Sequence, residues 1–277
     1  MTPISIKRRA FLIFEHILIL VVVLAVLFPI FWLVLSAFKT RVDVFSLKLF
    51  FEPTLDNFRM VLFEPHHFTK HLLNSVVIAG MSTIVGLGIS FPAAYGFSRF
   101  RIKGGGGIMF AILFLQFLPA VIFIVPLYAT FRSLGLLDTH LALILSYLLV
   151  TIPFSIWILK TYIDSMPVEM EQAALVDGAT HTQAIWHVLV PVAMPGVVVA
   201  VILSFIMTFN EFLFALVLTN RDAVTLPIAL IMLNPSEGIL WERMAAVSVL
   251  MMIPMVTMAY FVQRHLAQGL SAGGVKA

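Results

Sequence analysis

Asn210 and Glu211 stand side by side inside a long apolar run, where a polar pair could act on a polar solute. A carboxylate in an apolar span costs about 2.5–3.5 kcal/mol on insertion scales, so it faces protein or water. One reading makes the pair a lining for a path through the molecule. The other makes it a polar clamp between helices, since Asn bonds well across helix interfaces. Adjacent helical residues point about 100° apart, so the two do not line one narrow path together. Gln116, with Pro119 and Pro126, interrupts another apolar run and is a third candidate for the path. Prolines free backbone carbonyls and permit bends that a gate needs, and ordinary kinking accounts for them equally well. Glu15 lies near the start of the first apolar run and is read as snorkelling to the interface.

The remaining polar clusters carry no catalytic pattern. His67 and His71 are four apart, with Asp56 and Glu64 nearby, but no third ligand has diagnostic spacing and no metal site is expected. His181 and His187 are six apart and do not share a helix face. Neither His-Glu-x-x-His nor Gly-x-Ser-x-Gly occurs, and Gly104–Gly107 lacks the Gly-Lys-Ser/Thr ending of a phosphate loop. No catalytic residue and no resident cofactor are therefore expected. An intramembrane enzyme using Glu211 or Glu15 with a histidine stays as an alternative, without a signature to support it.

The elements that must carry these residues are transmembrane helices. Of 277 residues, 61% are hydrophobic and only 11% charged, where a soluble domain carries about 25% charge. The mean hydropathy is +1.06. A bilayer core about 30 Å thick needs about 20 apolar helical residues. Six runs meet this, at 11–37, 72–97, 108–131, 139–159, 192–219 and 241–262. The expected class is an all-α membrane protein with six transmembrane helices. Its parts would be a cytoplasmic N-terminus (1–10), the first helix (11–37), an extracytoplasmic loop (38–71), a five-helix core (72–262) containing a cytoplasmic loop at 164–191, and a cytoplasmic tail (263–277). The first run follows Lys7-Arg8-Arg9 and is too long for the apolar part of a signal peptide, so it reads as an uncleaved span. Seventeen Lys and Arg divide nine inside to eight outside when both termini are cytoplasmic. The tight clusters Lys7-Arg8-Arg9 and Arg99, Arg101, Lys103 decide for that orientation. The net charge of +3 reflects these flanking cations and does not indicate a nucleic-acid partner. Cysteine is absent, which excludes disulfides and thiolate chemistry. Ser82, Gly86, Ser90 and Ala94 form a small-residue stripe for close helix packing.

Met166–Pro195 is too polar for lipid and lies between two spans. It reads as two short helices joined at Gly178. Ser165 is placed to cap the first, Pro167 suits its first turn, and Glu169 and Glu171 suit its positive end. Gly178 can take the positive φ that ends the helix. Thr180 and Gln183 match a capping box for a second helix through Val190. Ala173, Ala174 and Ala179 would let a partner approach the backbone. An amphipathic connector lying on the membrane is the plain alternative.

Gln172-Ala173-Ala174-Leu175-Val176-Asp177-Gly178 resembles the "EAA" loop of ABC importer permeases. That pattern runs Glu-Ala-Ala, three residues, Gly, nine residues, Ile-x-Leu-Pro; here Ala173, Ala174, Gly178 and Pro191 fall on it. Gln172 takes the Glu position, with Glu171 one residue earlier, and Val188 and Val190 take the Ile and Leu positions. Asn74–Val77, Ala94–Phe100, Pro119–Tyr128, Leu134–Thr139, Phe209–Ala215 and the tail from Gln263 are similar to the carbohydrate-uptake permeases, of the maltose and glycerol-phosphate subunit type. The resemblance implies a type I ABC importer permease fold in the bacterial inner membrane. It implies ATPase coupling through Glu171, Gln172, Ala173, Ala174, Asp177, Gly178 and Ala179, and a path for sugars or sugar-like solutes near Asn210, Glu211 and Gln116. The implied partners are a second permease in a heterodimer, two ATPase subunits, an extracytoplasmic solute-binding protein and membrane lipid. ATP and Mg would belong to the ATPases. A passive channel or scaffold is the alternative without them.

Overall fold

The computed structural model describes residues 6–63, 68–233 and 238–273 and is built of helices. In chain order these are α1 (Ile6–Ala37), α2 (Asp56–Phe63), α3 (Phe68–Arg99), α4 (Gly105–Phe114), α5 (Val121–Ser133), α6 (His140–Asp164) and α7 (Glu169–Val176). Then follow α8 (His181–Ala184), α9 (Val190–Phe209), α10 (Leu213–Leu218), α11 (Leu226–Met232) and α12 (Trp241–Gly273). Five of the described helical stretches are long and apolar enough to cross a membrane, and the count reaches six when one pair bent by 90° is taken as a single span. Internal prolines occur in each span, at Pro29, Pro92, Pro126, Pro153, Pro195 and Pro254. Membrane helices tolerate them because neighbouring groups take up the freed carbonyls.

The chain divides into two compact units, Met1–Phe68 with Met232–Met252, and Thr69–Ile231 with Ile253–Ala277. In the first, α1 exposes apolar side chains on all sides from Phe14 to Phe31. Its exit is held by polar groups that the sequence did not single out. The Asn57 amide of α2 donates to the Ala37 and Lys39 carbonyls at 2.9 and 2.8 Å. The Ala37 carbonyl is among the acceptors that a helix end leaves unpaired. Lys39 is fully buried; its ammonium donates to the Ser46 carbonyl at 3.0 Å and lies 4.3 Å from the Trp32 ring centroid. The expected loop 38–71 thus contains a helix, and α3 begins at Phe68 rather than at residue 72.

The second unit is organised around α3, α6 and α9. Ser82, Gly86, Ser90 and Ala94 are all buried, as the stripe predicts. A Cβ on Gly86 would collide with the Thr151 side chain of α6, and the Ser90 hydroxyl reaches the Ile152 carbonyl at 3.2 Å. Ser155 of α6 meets Ser204 of α9 at 3.0 Å, and Gly196 admits the Tyr162 ring. Without a hydrophobic force between helices in lipid, such close approach is what holds spans together. Leu87, Leu159, Ile163, Leu189 and Ala193 fill the seam at one end.

Two of the expected spans are broken. The third, expected over 108–131, is α4 with a 3₁₀ turn at Leu115–Phe117, then α5 at 90° to it. Leu118 is extended (φ −73°, ψ 131°), as a residue before proline is forced to be, and Pro119 sits at the corner. The fifth, expected over 192–219, stops at Phe209 and resumes as α10. The sixth continues helically to Gly273, past the expected end at 262.

Candidate functional site

The polar stretch after α6 folds as a helical hairpin. Ser165 does not cap α7, as the sequence led us to expect. Its hydroxyl donates to the Tyr162 carbonyl at 2.6 Å and closes α6 instead. The reason is distance along the chain: α7 starts at Glu169, and its N-cap position is Val168. Glu169 and Glu171 do occupy the first turn, where the helix dipole favours them. Gly178 takes φ +91°, and the Gly178 and Ala179 amides donate to the Leu175 and Ala174 carbonyls at 3.1 and 3.0 Å. The expected capping box is present: Gln183 N–H donates to Thr180 Oγ1 at 3.3 Å, and Thr180 N–H to Gln183 Oε1 at 2.8 Å.

The second helix does not end at Val190. It widens into a π turn at Ile185–Leu189 and continues as α9, so His181–Phe209 is one helical stretch. Pro191 cannot donate to the carbonyl four residues before it, and the wider turn ahead of it accommodates that loss. The hairpin is therefore joined to the fifth span without a flexible break.

The faces of α7 differ. Glu169, Gln172, Ala173 and Val176 are exposed and lie at i, i+3, i+4 and i+7, one stripe of a helix. Val176 is 87% exposed, and Asp177 and Gly178 extend the surface. Ala174 and Ala179 are half-buried. Glu171 turns inward, which the sequence did not reveal. Its Oε1 accepts from Arg99 Nε at 2.7 Å and its Oε2 from the Tyr95 hydroxyl at 3.1 Å. The two charged side chains are 8% and 9% exposed. Arg99 also donates to the Met166 carbonyl at 3.3 Å. Beside it, Ser98 donates to Asp164 at 2.6 Å, and Lys160 pairs with Asp164 at 2.5 Å. Tyr95 and Arg99 sit at i, i+4 at the end of a span. That spacing, next to a loop rich in acid, was the available signal.

A second cluster joins α3 at its other end. A helix rises about 1.5 Å per residue, so Asn74 and Arg99 are about 37 Å apart. Asp138, at φ +59°, accepts from the backbone N–H groups of Asn220, Arg221, Asp222 and Ala223 at 2.9–3.1 Å. Its own N–H donates to the Leu218 carbonyl at 2.9 Å. Burial pushes this carboxyl up, but the four backbone donors together outweigh it and hold the pKa below the usual aspartate value. Asn74 donates to the Asp222 and Val224 carbonyls at 2.8 and 3.0 Å, which leaves its Oδ1 to accept from His140 Nε2 at 2.8 Å. Ser75 Oγ accepts from Leu226 N–H at 2.7 Å, and Lys70 pairs with Asp222 at 2.8 Å. His71 Nδ1 lies 3.2 Å from the Val224 carbonyl, and His67 lies outside the described residues.

The three candidate path residues are brought to the broken spans, but much of their polarity is used locally. The Gln116 amide donates to the Val150 carbonyl of α6 at 2.8 Å. The exposed Asn210 donates to the Ile206 carbonyl at 2.9 Å and closes α9. Glu211 accepts from Leu213 N–H at 2.8 Å and Phe214 N–H at 3.1 Å, and so opens α10. Neighbouring residues thus end one helix and start the next. Asn210 Nδ2 also lies 3.9 Å from Met255 Sδ of α12, so the pair caps the chain on either side of the break and Asn210 keeps a contact between helices.

Residues 84–272 match the family model described as "Binding-protein-dependent transport system inner membrane component". Over 252 residues the chain is 35% identical to the probable ABC transporter permease protein y4oR of Sinorhizobium fredii, covering 90% of each. It is 33% identical over 276 residues to the trehalose/maltose transport system permease protein MalG of Thermococcus litoralis, covering 98% of each. Among solved structures it resembles a bacterial ABC transporter involved in the import of the acidic polysaccharide alginate. The TM-score there is 0.80 at 24% identity, over 95% of this chain and 99% of that one. The broken spans and the hairpin are thus parts of a type I ABC importer permease fold. The chain belongs to the family of inner membrane components of binding-protein-dependent transport systems, and is a transport subunit rather than an enzyme.

Proposed function

We propose that this chain is one permease of an ATP-driven importer of sugars or sugar-like solutes, and that its hairpin receives an ATPase subunit. The exposed stripe Gln172, Ala173, Val176 and Asp177 carries this reading. It is a small, mostly uncharged ridge held on a helix whose other face is pinned by a buried ion pair. Gln172 brings no charge to a partner, so docking rests on the shape at Ala173 and Ala174, on Asp177 and on the turn at Gly178. Arg99 and Lys160 share this end, with Arg101 and Lys103 close in sequence, which supports a cytoplasmic hairpin and cytoplasmic termini.

ATP binding would close the paired ATPases and carry two docked hairpins together, one on each permease of a heterodimer. Because the hairpin runs directly into α9, its motion reaches the break at Asn210–Phe212 through continuous helix. ATP and Mg reside on the ATPases in this scheme. An extracytoplasmic binding protein delivers solute at the opposite end. The sugar class follows the trehalose/maltose relative named above and a sulfoquinovosyl glycerol permease of Agrobacterium fabrum, 32% identical over 254 residues.

Co-expression with an ATPase subunit and a second permease of the same transport family tests the reading. The ATPase is expected to co-purify with the wild-type chain and to be lost from Ala173→Trp. Retention of full coupling by Ala173→Trp and by Gly178→Trp would refute docking at this surface. Thermal-shift screening of a solute-binding protein that stimulates the reconstituted complex, against sugars, polyols and amino acids, checks the solute class, and a response to amino acids alone would refute it.

A further inference from the structure

The hairpin is tied to a span that is distant from it in sequence. Glu171 is 72 residues from Arg99 and 76 from Tyr95, and both belong to the last two turns of α3. The covalent route from the hairpin leads only to α6, through Met166, and to α9, through the π turn. The route to α3 is polar. Arg99 is its centre, with one bond to the Glu171 carboxylate and another to the Met166 carbonyl at the hairpin's base. A guanidinium is planar and holds several donors in fixed directions, so it fixes an angle as well as a distance. Further along, α3 is seated against α6 by Gly86 at Thr151 and Ser90 at Ile152.

We propose that Arg99 is a positioning residue that makes the hairpin and α3 one moving body, so that displacement of α7 is delivered to the second span as well as to the fifth. The delivery of ATPase motion along this route rests on the transport reading above; the mechanical link does not. The exposed stripe of α7 faces away from Glu171, so a partner seated on it leaves the Arg99 bond in place. The pair itself is nearly buried, at 8% and 9% exposure, which limits competition from water for the bond.

The chain contains no cysteine, which allows site-directed spin labelling without prior substitution. Labels at Val176→Cys and Ile84→Cys, both on exposed positions, report the distance between the hairpin and α3. A narrow distribution is expected for the native pair and a clearly broader one for Arg99→Gln. The charge swap Arg99→Glu with Glu171→Arg is expected to narrow it again. If Arg99→Gln does not fold, Arg99→Gln with Glu171→Gln leaves no orphan charge and is expected to broaden the distribution likewise. Equal widths in the native chain and these variants would overturn the proposal. In the assembled transporter, Arg99→Gln is expected to lower solute uptake per ATP hydrolysed. A parallel fall of uptake and hydrolysis, at an unchanged ratio, would assign Arg99 a merely structural role and overturn the proposal. Distances that respond to Arg99 in a chain that binds no ATPase would leave the mechanical link standing and remove the transport reading alone.

Discussion

The two ends of α3 hold their neighbours with the same group, a carboxylate, but supply its partner differently. At the hairpin, Glu171 meets a side-chain cation and a phenol, both carried by α3. At the far end, Asp138 meets four consecutive backbone N–H groups of the segment 220–223. A side-chain pair can be replaced by another pair while the backbone on either side keeps its shape. Backbone donors cannot be replaced, and their convergence on one carboxylate defines the shape of the segment itself. The hairpin end therefore joins two helices so that they move as one body, and the Asp138 end fixes the shape of a surface.

The largest effects should come from breaking each joint from one side. Arg99→Ala leaves Glu171 buried without its cation and should cost about 3–5 kcal/mol. Arg99→Leu with Glu171→Leu should recover most of that loss, because a buried ion pair often stabilises no more than apolar packing does. Thermal unfolding of the purified chain in detergent measures both. A double variant as unstable as the single one would break the comparison, since it would make the hairpin joint as irreplaceable as the other. Asp138→Ala comes next, at about 2–3 kcal/mol, because hydrogen bonds to a charged group each contribute about 1.5–3 kcal/mol but relaxation and water recover part of the sum. No apolar partner substitution can rescue it. Its pH signature is also distinct. Folding lowers the Asp138 pKa, so its contribution is complete above the ordinary aspartate value and is lost as pH falls through the lower, folded value. Acid unfolding curves of the native chain and Asp138→Asn should converge in that window, and persistent separation at the lowest pH would count against the clamp.

This contrast also explains what could be read from the sequence. The spans, the small-residue stripe, the positive φ at Gly178 and the Thr180–Gln183 box are set by residues close together in the chain. Local steric and capping rules reach them. The Arg99–Glu171 pair and the Asp138 clamp join residues more than seventy apart, and no local rule brings them together. The breaks at Pro119 and Asn210 fall between these cases. Proline marked the first, but a bend of 90° depends on which groups take up the free carbonyls. At the second, Glu211 looked like a functional acid because a carboxylate in a span is costly. Its principal partners, the Leu213 and Phe214 amides, exist only because the helix stops beside it.

A smaller effect separates the two halves of the hairpin. Thr180→Ala removes one arm of the capping box and should cost about 1 kcal/mol. Because α7 is pinned by Glu171 and not by this cap, amide exchange should quicken at His181–Gln183 while α7 keeps its protection. Equal loss in both helices would show that the ion pair does not hold α7 independently, and would weaken the distinction between the ends from the hairpin side.

The smallest effect tests the far end on the same terms as the hairpin, with one charge pair set against the other. Lys70 and Asp222 lie 2.8 Å apart, close to the length of the Arg99–Glu171 bond, but their side chains are 47% and 71% exposed. Water screens the attraction, and ordering two mobile side chains offsets much of what remains, so an exposed pair contributes about 0–1 kcal/mol. Lys70→Ala should lower stability by no more than about 0.5 kcal/mol, with less difference at high salt. The segment 220–223 should keep its amide protection, because Asp138 and Asn74 hold its backbone without Lys70. A loss as large as that of Asp138→Ala would mean that side-chain charge, and not backbone convergence, fixes the far end. Both ends would then be joints of one kind, and the contrast between two helices joined as one body and a surface of fixed shape would lose its structural basis.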